Sequence, residues 1–319
     1  MNIEDFRGDF DRVAALVQEA WADNEKRSLL YTPEFLASLF ECPDASFALA
    51  PTLYDGQAPV GFVAGFPRRI RYKCREWRIV VASFLSVSPE FKKRGLGIVL
   101  WSDLVRRAQV SGFDGMMNYC VEGEPMNGMI LGSCRLSRIA VERVHSVSYL
   151  SCVIWPKTTV AAGGRENGSF AEILLRLAAP VADRVPLARV WSRAEAEWQC
   201  FRRLGAIAVR LGEGQGRGVL TGYIMSVADP IRTKCLLVED VLWGDLTSEE
   251  RSELVRRLKS EAAAAGARLA VVPIQGYSDM APFLESGFRP SRRVVHAYLS
   301  LWAGPMDPGP LDAIYLDVF

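Results

Sequence analysis

Apolar residues recur at helical spacing in DRVAALVQEAW (11–21), where Val13, Leu16, Val17 and Trp21 share one face. TPEFLASLF (32–40) predicts a second short helix, with Thr32 as cap, Pro33 at the first helical position and Glu34 in the first turn. The period then shortens. SFALAPTLYD (46–55), a turn at Asp55-Gly56-Gln57, APVGFVAGF (58–66) and WRIVVASFLSV (77–87) read as strands. A helix follows to about Ser111, then a turn and strand in GFDGMMNYCV (112–121), a helix in MNGMILGSCRL (126–136) and a closing strand in VERVHSVSYLSCVI (141–154). Helices, antiparallel-style strands and then strand-helix-strand-helix-strand predict an α/β (α+β) class with a mixed sheet flanked by helices.

KTTVAAGGRENGS (157–169) has the small, polar composition of a linker, and after it the same order of elements recurs. FAEILLRLAAPVA (170–182) and SRAEAEWQCFRRL (192–204) read as helices. AIAVRL, VLTGYIMSV and LLVEDVLW read as strands, followed by a helix from Ser248 to Gly266, a strand in ARLAVVPIQ, a helix in SDMAPFLESGF and a closing strand in VVHAYLSL (294–301). Aligning Leu-Val-Arg-Arg at 104–107 with the same four residues at 254–257 superposes the two central helices without a gap. The expected organisation is a tandem repeat: domain 1–156, linker 157–169 and domain 170–319.

The 319 residues suffice for two such cores, with half of them apolar and 24% charged. With 38 Lys and Arg against 37 Asp and Glu, the net charge of +1 gives no bulk attraction to nucleic acid or anionic membrane. Any anion site is therefore local. Seven scattered cysteines without a Cys-x-x-Cys pair suit reduced thiols. The acidic, amphipathic start does not read as a signal peptide, and no apolar run approaches the ~20 residues of a membrane span. The expectation is a soluble cytoplasmic protein.

One turn concentrates the chemistry. In SVSPEFKKRGLGIVLWSDLVRRAQ (86–109) an apolar strand ends in Lys92-Lys93-Arg94-Gly95-Leu96-Gly97 before a helix. A helix start carries unpaired N–H groups and about half a positive charge, so it attracts phosphate. Glycines at 95 and 97 admit close backbone approach, and the basic residues add charge. The spacing fits neither the Walker loop nor the dinucleotide fingerprint.

VSPEFKKRGLG before an amphipathic helix resembles the acyl-CoA-binding signature of the GNAT superfamily of N-acyltransferases, with Lys92 where that family has Arg or Gln. The resemblance implies two tandem GNAT-like domains, each with a mixed, mostly antiparallel twisted sheet. It implies that Lys92, Lys93, Arg94, Gly95, Leu96, Gly97 and Ile98 cradle the coenzyme A diphosphate. The strand edge at Leu85 and Val87 would pair with the pantetheine arm, a backbone N–H there would polarise the thioester, and Asn127 would contact the arm. The family's helix tyrosine is replaced by Cys134, so Cys134, Tyr119 or water would protonate the departing thiolate.

The acceptor amine must lose a proton, because a lysine-like amine has a pKa of about 10.4. The strand carries no carboxylate, which leaves Glu76, Glu122 and Glu124, with Glu122 following the strand that lines the cleft. The implied activity is transfer of an acyl group from acetyl-CoA or another acyl-CoA to a small-molecule or peptide amine, without metal. Transfer to a thiol such as a carrier-protein arm, or a non-catalytic acyl-CoA-binding module, are the alternatives.

The second copy reads differently. Under the alignment Asp245 faces Gly95 and Thr247 faces Gly97, and Thr247 with Glu250 makes a capping box that satisfies the helix start internally. Asp245, Glu249 and Glu250 would repel a diphosphate. Tandem GNAT proteins, the mycothiol synthases among them, resemble this plan of one active and one degenerate copy. GEGQGRG (212–218) lies between two strands and reads as a hairpin turn. Arg69, Arg71, Lys73 and Arg75 alternate as one face of a strand, and His145 and His296 read as structural residues of closing strands. Read as structural, these two histidines leave neither a His-based triad nor a multi-histidine metal site.

Overall fold

A computed structural model describes residues 1–21, 28–123, 125–136, 139–155, 170–212, 217–229, 231–306 and 309–317. Side chains are described for all of these except 28, 125–127, 136, 229 and 231. The linker expected at 157–169, Glu124 and the middle of GEGQGRG lie outside the described residues.

In chain order the first elements are β1 (Asn2–Asp5), α1 (Phe10–Trp21), β2 (Ser28–Leu30), α2 (Pro33–Phe40), β3 (Pro51–Asp55), β4 (Ala58–Tyr72), β5 (Arg75–Val87), α3 (Leu96–Val110), β6 (Gly115–Val121), α4 (Pro125–Leu136) and β7 (Ala140–Val153). Then come α5 (Phe170–Arg184), β8 (Leu187–Arg189), α6 (Arg193–Glu197), β9 (Ala206–Leu211), β10 (Gly218–Asp229), β11 (Ile231–Leu242), α7 (Ser248–Ala264), β12 (Ala267–Ile274), α8 (Ala281–Glu285), β13 (Arg289–Leu301) and β14 (Ile314–Tyr315). SFALA, expected as strand, starts instead as a 3₁₀ turn over Phe47–Leu49 that the Ser46 hydroxyl caps.

The chain forms two units. Unit 1 is 1–40, 44–146 and 294–311, and unit 2 is 41–43, 147–293 and 312–319. Unit 1 carries strands in the order β1, β3, β4, β5, β6, β13 and the first half of β7. Unit 2 carries the second half of β7, then β12, β11, β10 and β9. Among the described pairs β5 with β6, β11 with β12 and β8 with β14 are parallel, and the first two are each joined through one helix. Those are the two right places for a crossover helix, since parallel neighbours cannot be joined by a hairpin.

The sequence reading closes the N-terminal half with 141–154 and the C-terminal half with 294–301. The units exchange these ends: β13 pairs with β6 from Val295 opposite Val121 to Leu301 opposite Gly115, while β7 continues into unit 2 and pairs with β12. Alternation along a strand specifies which face is buried, not which strand is the neighbour.

The core of unit 1 packs Leu100, Trp101, Leu104, Val105 and Ala108 of α3 against Val63, Val80, Met116 and Cys120 of the sheet. Close approach depends on Gly65: a Cβ there would lie 2.8 Å from Leu104 Cδ1 and 2.4 Å from Val80 Cγ1. On the opposite face Trp21, Tyr31, Phe35, Phe66 and Phe84 form a chain of ring contacts at 5.1–6.2 Å. The Arg69 to Arg75 series is not one strand face. Lys73 and Cys74 form the β4–β5 turn with φ of 52° and 61°, and Arg69 pairs across to Arg78 and Arg71 to Glu76.

Candidate active site

Strands β5 and β6 pair in register from Ile79 opposite Gly115 to Ala82 opposite Asn118, and there pairing stops. Both strands run on, β5 to Val87 and β6 to Val121, so a split opens between them. On its other side β5 stays paired to β4, but the register shifts between Ser83 opposite Ala64 and Ser86 opposite Phe62. Phe84 and Leu85 therefore stand against one residue, Val63, in a β-bulge.

Phe84 has φ of 62°, a conformation that is rare for a bulky side chain and costs about 1–3 kcal/mol. Its ring is held by Tyr31 and Phe66. Phe84 was invisible to sequence reasoning, since a phenylalanine in an apolar strand reads as ordinary.

Beyond the bulge the Ser88 N–H donates to Val60 in β4 at 2.9 Å. Backbone groups alternate along a strand, so those of Val87 and Leu85 face the opposite edge, toward the split. Among the described residues no hydrogen bond joins that edge to β6 beyond Asn118.

The loop after β5 makes a 3₁₀ turn over Pro89–Phe91 and then carries Lys92, Lys93 and Arg94, all exposed. Lys93 (φ 67°) and Gly95 (φ 76°) are both left-handed, and Gly95 is the N-cap of α3. No side chain caps this helix. The Gly95 carbonyl accepts the N–H groups of Ile98 and Val99, at 3.1 and 3.2 Å. A Cβ on Gly95 would meet nothing within 4 Å, so the mouth is open. Arg94 lies over the Phe91 ring at 5.1 Å, which holds its charge beside the helix start. Leu96 and Gly97 are half-buried and Ile98 is exposed, so Lys92 through Ile98 form one surface.

The catalytic candidates do not all converge. Tyr119 lies just past the last β6 residue paired to β5, on the face opposite Asn118 and Cys120, with its hydroxyl buried. Glu122 follows at the strand end; it is exposed, and its N–H donates to Val294. Cys134 is not brought to the split. It is fully buried in the unit 1 core with Sγ 3.8 Å from Ser300 Oγ, and burial pushes its thiol up, against the opposing effect of that contact. A thiol held protonated and out of reach is a packing residue. Glu76 pairs with Arg71 at 3.8 Å beside the β4–β5 turn, about 36 Å of extended strand away from Val87. Asn127 lies in the first turn of α4; its side chain is outside the described residues.

Two further residues were missed or set aside. His296 of β13 stands opposite Cys120, with Nε2 3.8 Å from a Glu122 carboxylate oxygen and Nδ1 3.0 Å from Ser146 Oγ. This strand enters unit 1 from the far end of the chain, so no local pattern could place His296 beside Glu122. Asn118 is 3% exposed, and its Oδ1 accepts the Trp101 indole N–H at 3.1 Å. Its signal was available: one amide inside the apolar run MMNYCV.

Solved structures of Saccharomyces cerevisiae N-myristoyltransferase with bound myristoyl-CoA and inhibitors superpose with a TM-score of 0.75 at 13% identity, over 94% of this chain and 80% of theirs. A GCN5-related N-acetyltransferase from Anabaena variabilis superposes with a TM-score of 0.56 at 11% identity, over 93% of this chain and 72% of its own. Another from Kribbella flavida gives 0.53 at 15% identity, over 95% and 71%. No family model and no curated protein matches the sequence. The chain has the GNAT fold.

Within that fold, unit 2 has its own split. Strands β11 and β12 pair from Lys234 opposite Ala267 to Leu237 opposite Val271 and then separate, although β11 runs to Leu242 and β12 to Ile274. A register shift again precedes the strand end, with Glu239 and Asp240 against Thr221. Here the chain's own side chains close the edge. Val241 N–H donates to Tyr277 Oη at 3.0 Å, the rings of Tyr277 and Tyr315 are 4.8 Å apart, and Tyr315 Oη donates to Asp240 at 2.7 Å. Gln275 holds Leu316 through both its amide groups, at 2.7 and 2.8 Å.

The unit 2 helix start is closed as well. Thr247 caps α7 in the expected capping box, with Glu250 N–H donating to Thr247 Oγ1 and Thr247 N–H to Glu250 Oε2. Its loop is short, Trp243 to Thr247, against Ser88 to Gly95 in unit 1. The bulge positions that are apolar in unit 1 are acidic here. Glu239 accepts from Arg203 through both carboxylate oxygens, each at 2.8 Å, and from the Gln199 side-chain amide, and Arg203 stacks on Tyr223 at 3.5 Å.

Proposed function

We propose that unit 1 binds an acyl-CoA and transfers its acyl group to an amine of a small molecule or peptide. The observation that carries this reading is the pairing of an uncapped, glycine-headed helix with a bulged, unpaired strand edge in unit 1, while unit 2 closes both features with its own residues. The likeness in fold to structures with bound myristoyl-CoA is consistent with it.

Lys92 to Ile98 receive the diphosphate: the α3 N–H groups and its dipole attract phosphate, and Lys92, Lys93 and Arg94 add charge. The arm then lies along Leu85 and Val87, and a backbone N–H at Leu85 takes up the charge that develops on the thioester oxygen. Asn127 contacts the arm. The neutral amine nitrogen attacks the thioester carbon, forming the amide bond as the carbon–sulfur bond breaks. The amine's proton passes to Glu122, with His296 beside it as the next acceptor, and the coenzyme A thiolate takes a proton from the Tyr119 hydroxyl or from water. No metal takes part.

The two units derive from one repeated fold, of which the second copy has become a closed partner. The acyl group and the acceptor are tested together. Coenzyme A and short acyl-CoAs should raise the melting temperature, and an amine panel with acetyl-CoA should yield amide by mass spectrometry. Absence of both results overturns the reading.

A further inference from the structure

Asn118 marks the apex of the split, since it is the last β6 residue paired to β5, opposite Ala82. Its side chain is oriented without ambiguity. The Trp101 indole can only donate, so the amide atom 3.1 Å from it is the oxygen, and Nδ2 is the free arm. Nδ2 is buried and has no hydrogen-bond partner among the described residues. Trp101 itself is buried, as are the neighbours of Asn118 on this face, Met116, Cys120 and Tyr298, so the amide has no room to turn to solvent. A buried N–H₂ without an acceptor is costly and calls for an explanation.

Position supplies one. Trp101 is the sixth residue of α3, about 7.5 Å below the helix start. Ala82 lies three residues before Leu85, about 10 Å further into the split. A thioester seated at Leu85 therefore points its acyl chain toward Asn118.

Resting on the acyl-CoA reading of this split, we infer that Asn118 Nδ2 donates to an oxygen carried on the acyl group beyond the thioester. The preferred donors are short acyl-CoAs bearing a hydroxyl, keto or carboxyl oxygen. A plain alkyl chain leaves Nδ2 orphaned in the complex and is disfavoured for that reason, even where its length fits.

The test compares binding of coenzyme A, butyryl-CoA and 3-hydroxybutyryl-CoA to the full chain by titration calorimetry. Wild type should bind 3-hydroxybutyryl-CoA about tenfold more tightly than butyryl-CoA. Asn118→Leu should remove that preference and leave coenzyme A affinity unchanged. Because that change orphans the Trp101 indole, the double variant Trp101→Phe/Asn118→Leu, which replaces both partners by apolar groups, serves as the folded control and should give the same result. Equal wild-type affinity for the two acyl-CoAs overturns the inference. So does a loss of coenzyme A affinity in step with that of 3-hydroxybutyryl-CoA, which would assign Nδ2 to the arm. If none of the three ligands binds, the acyl-CoA reading itself fails; if coenzyme A binds without the preference, only the role of Asn118 fails.

Discussion

The backbone N–H of Val241 donates to the hydroxyl of Tyr277, 3.0 Å away, at the strand edge where unit 2 would otherwise present an open split. In unit 1 the comparable edge at Leu85 and Val87 has no such partner among the described residues. One tyrosine hydroxyl thus separates a strand edge that can pair with a ligand from one that is already satisfied. Tyr277→Phe should leave that buried N–H orphaned and destabilise the protein by about 1–3 kcal/mol in chemical denaturation. Unchanged stability would show that the contact is dispensable.

Gly95 sits at φ 76° with open space where a Cβ would be. Gly95→Asp places a carboxylate and a strained backbone at the start of α3, so the melting-temperature rise with coenzyme A should disappear. Gly95→Ala carries only the strain of about 1 kcal/mol and should weaken the rise without abolishing it. Thermal shift measurements on both variants check this; a full response from the aspartate variant would contradict the proposed diphosphate site.

Glu122 and His296 lie side by side at the end of β6. Glu122→Gln and His296→Gln should each lower kcat by about 100-fold or more for an acceptor with a high-pKa amine, while leaving coenzyme A affinity unaltered. The pH profile supplies a readout that a structural role would not move. An acceptor that is already neutral at the assay pH should show a much smaller loss in both variants.

Asp240 is fully buried, and burial together with nearby Glu239 pushes its carboxyl up to about 6, against hydrogen bonds from Thr221 and Tyr315. A carboxyl whose folded pKa lies above its unfolded value of about 3.9 favours the folded state below that value. This contribution, about 3 kcal/mol, is lost as the pH rises through about 6. Asp240→Asn keeps an oxygen for Tyr315 and cannot ionise. Its stability relative to wild type should therefore increase between pH 4 and pH 7, measured by denaturation at a series of pH values. A constant difference across that range would refute the assignment.

The local chemistry of both helix starts was legible in the chain. Two glycines and three cations before α3, and Thr247 with Glu250 before α7, act through neighbours within a few residues, so spacing alone encodes them. The period-two and helical patterns likewise placed most strands and helices. They failed where elements are short or irregular: β8 was missed, and the 3₁₀ turn at Phe47–Leu49 read as strand.

The sequence by itself determined the GNAT-like order of elements, an open helix start in one half and a self-capped one in the other. These depend on local hydrogen bonding and side-chain periodicity. Only the tertiary structure decided that β13 joins unit 1 and carries His296 to Glu122, that Phe84 is forced into a left-handed bulge, that Cys134 is buried, and that Tyr277 and Tyr315 close unit 2. Each of those results from which strand pairs with which, and pairing between distant segments is settled by the burial of whole faces rather than by any residue's neighbours in sequence.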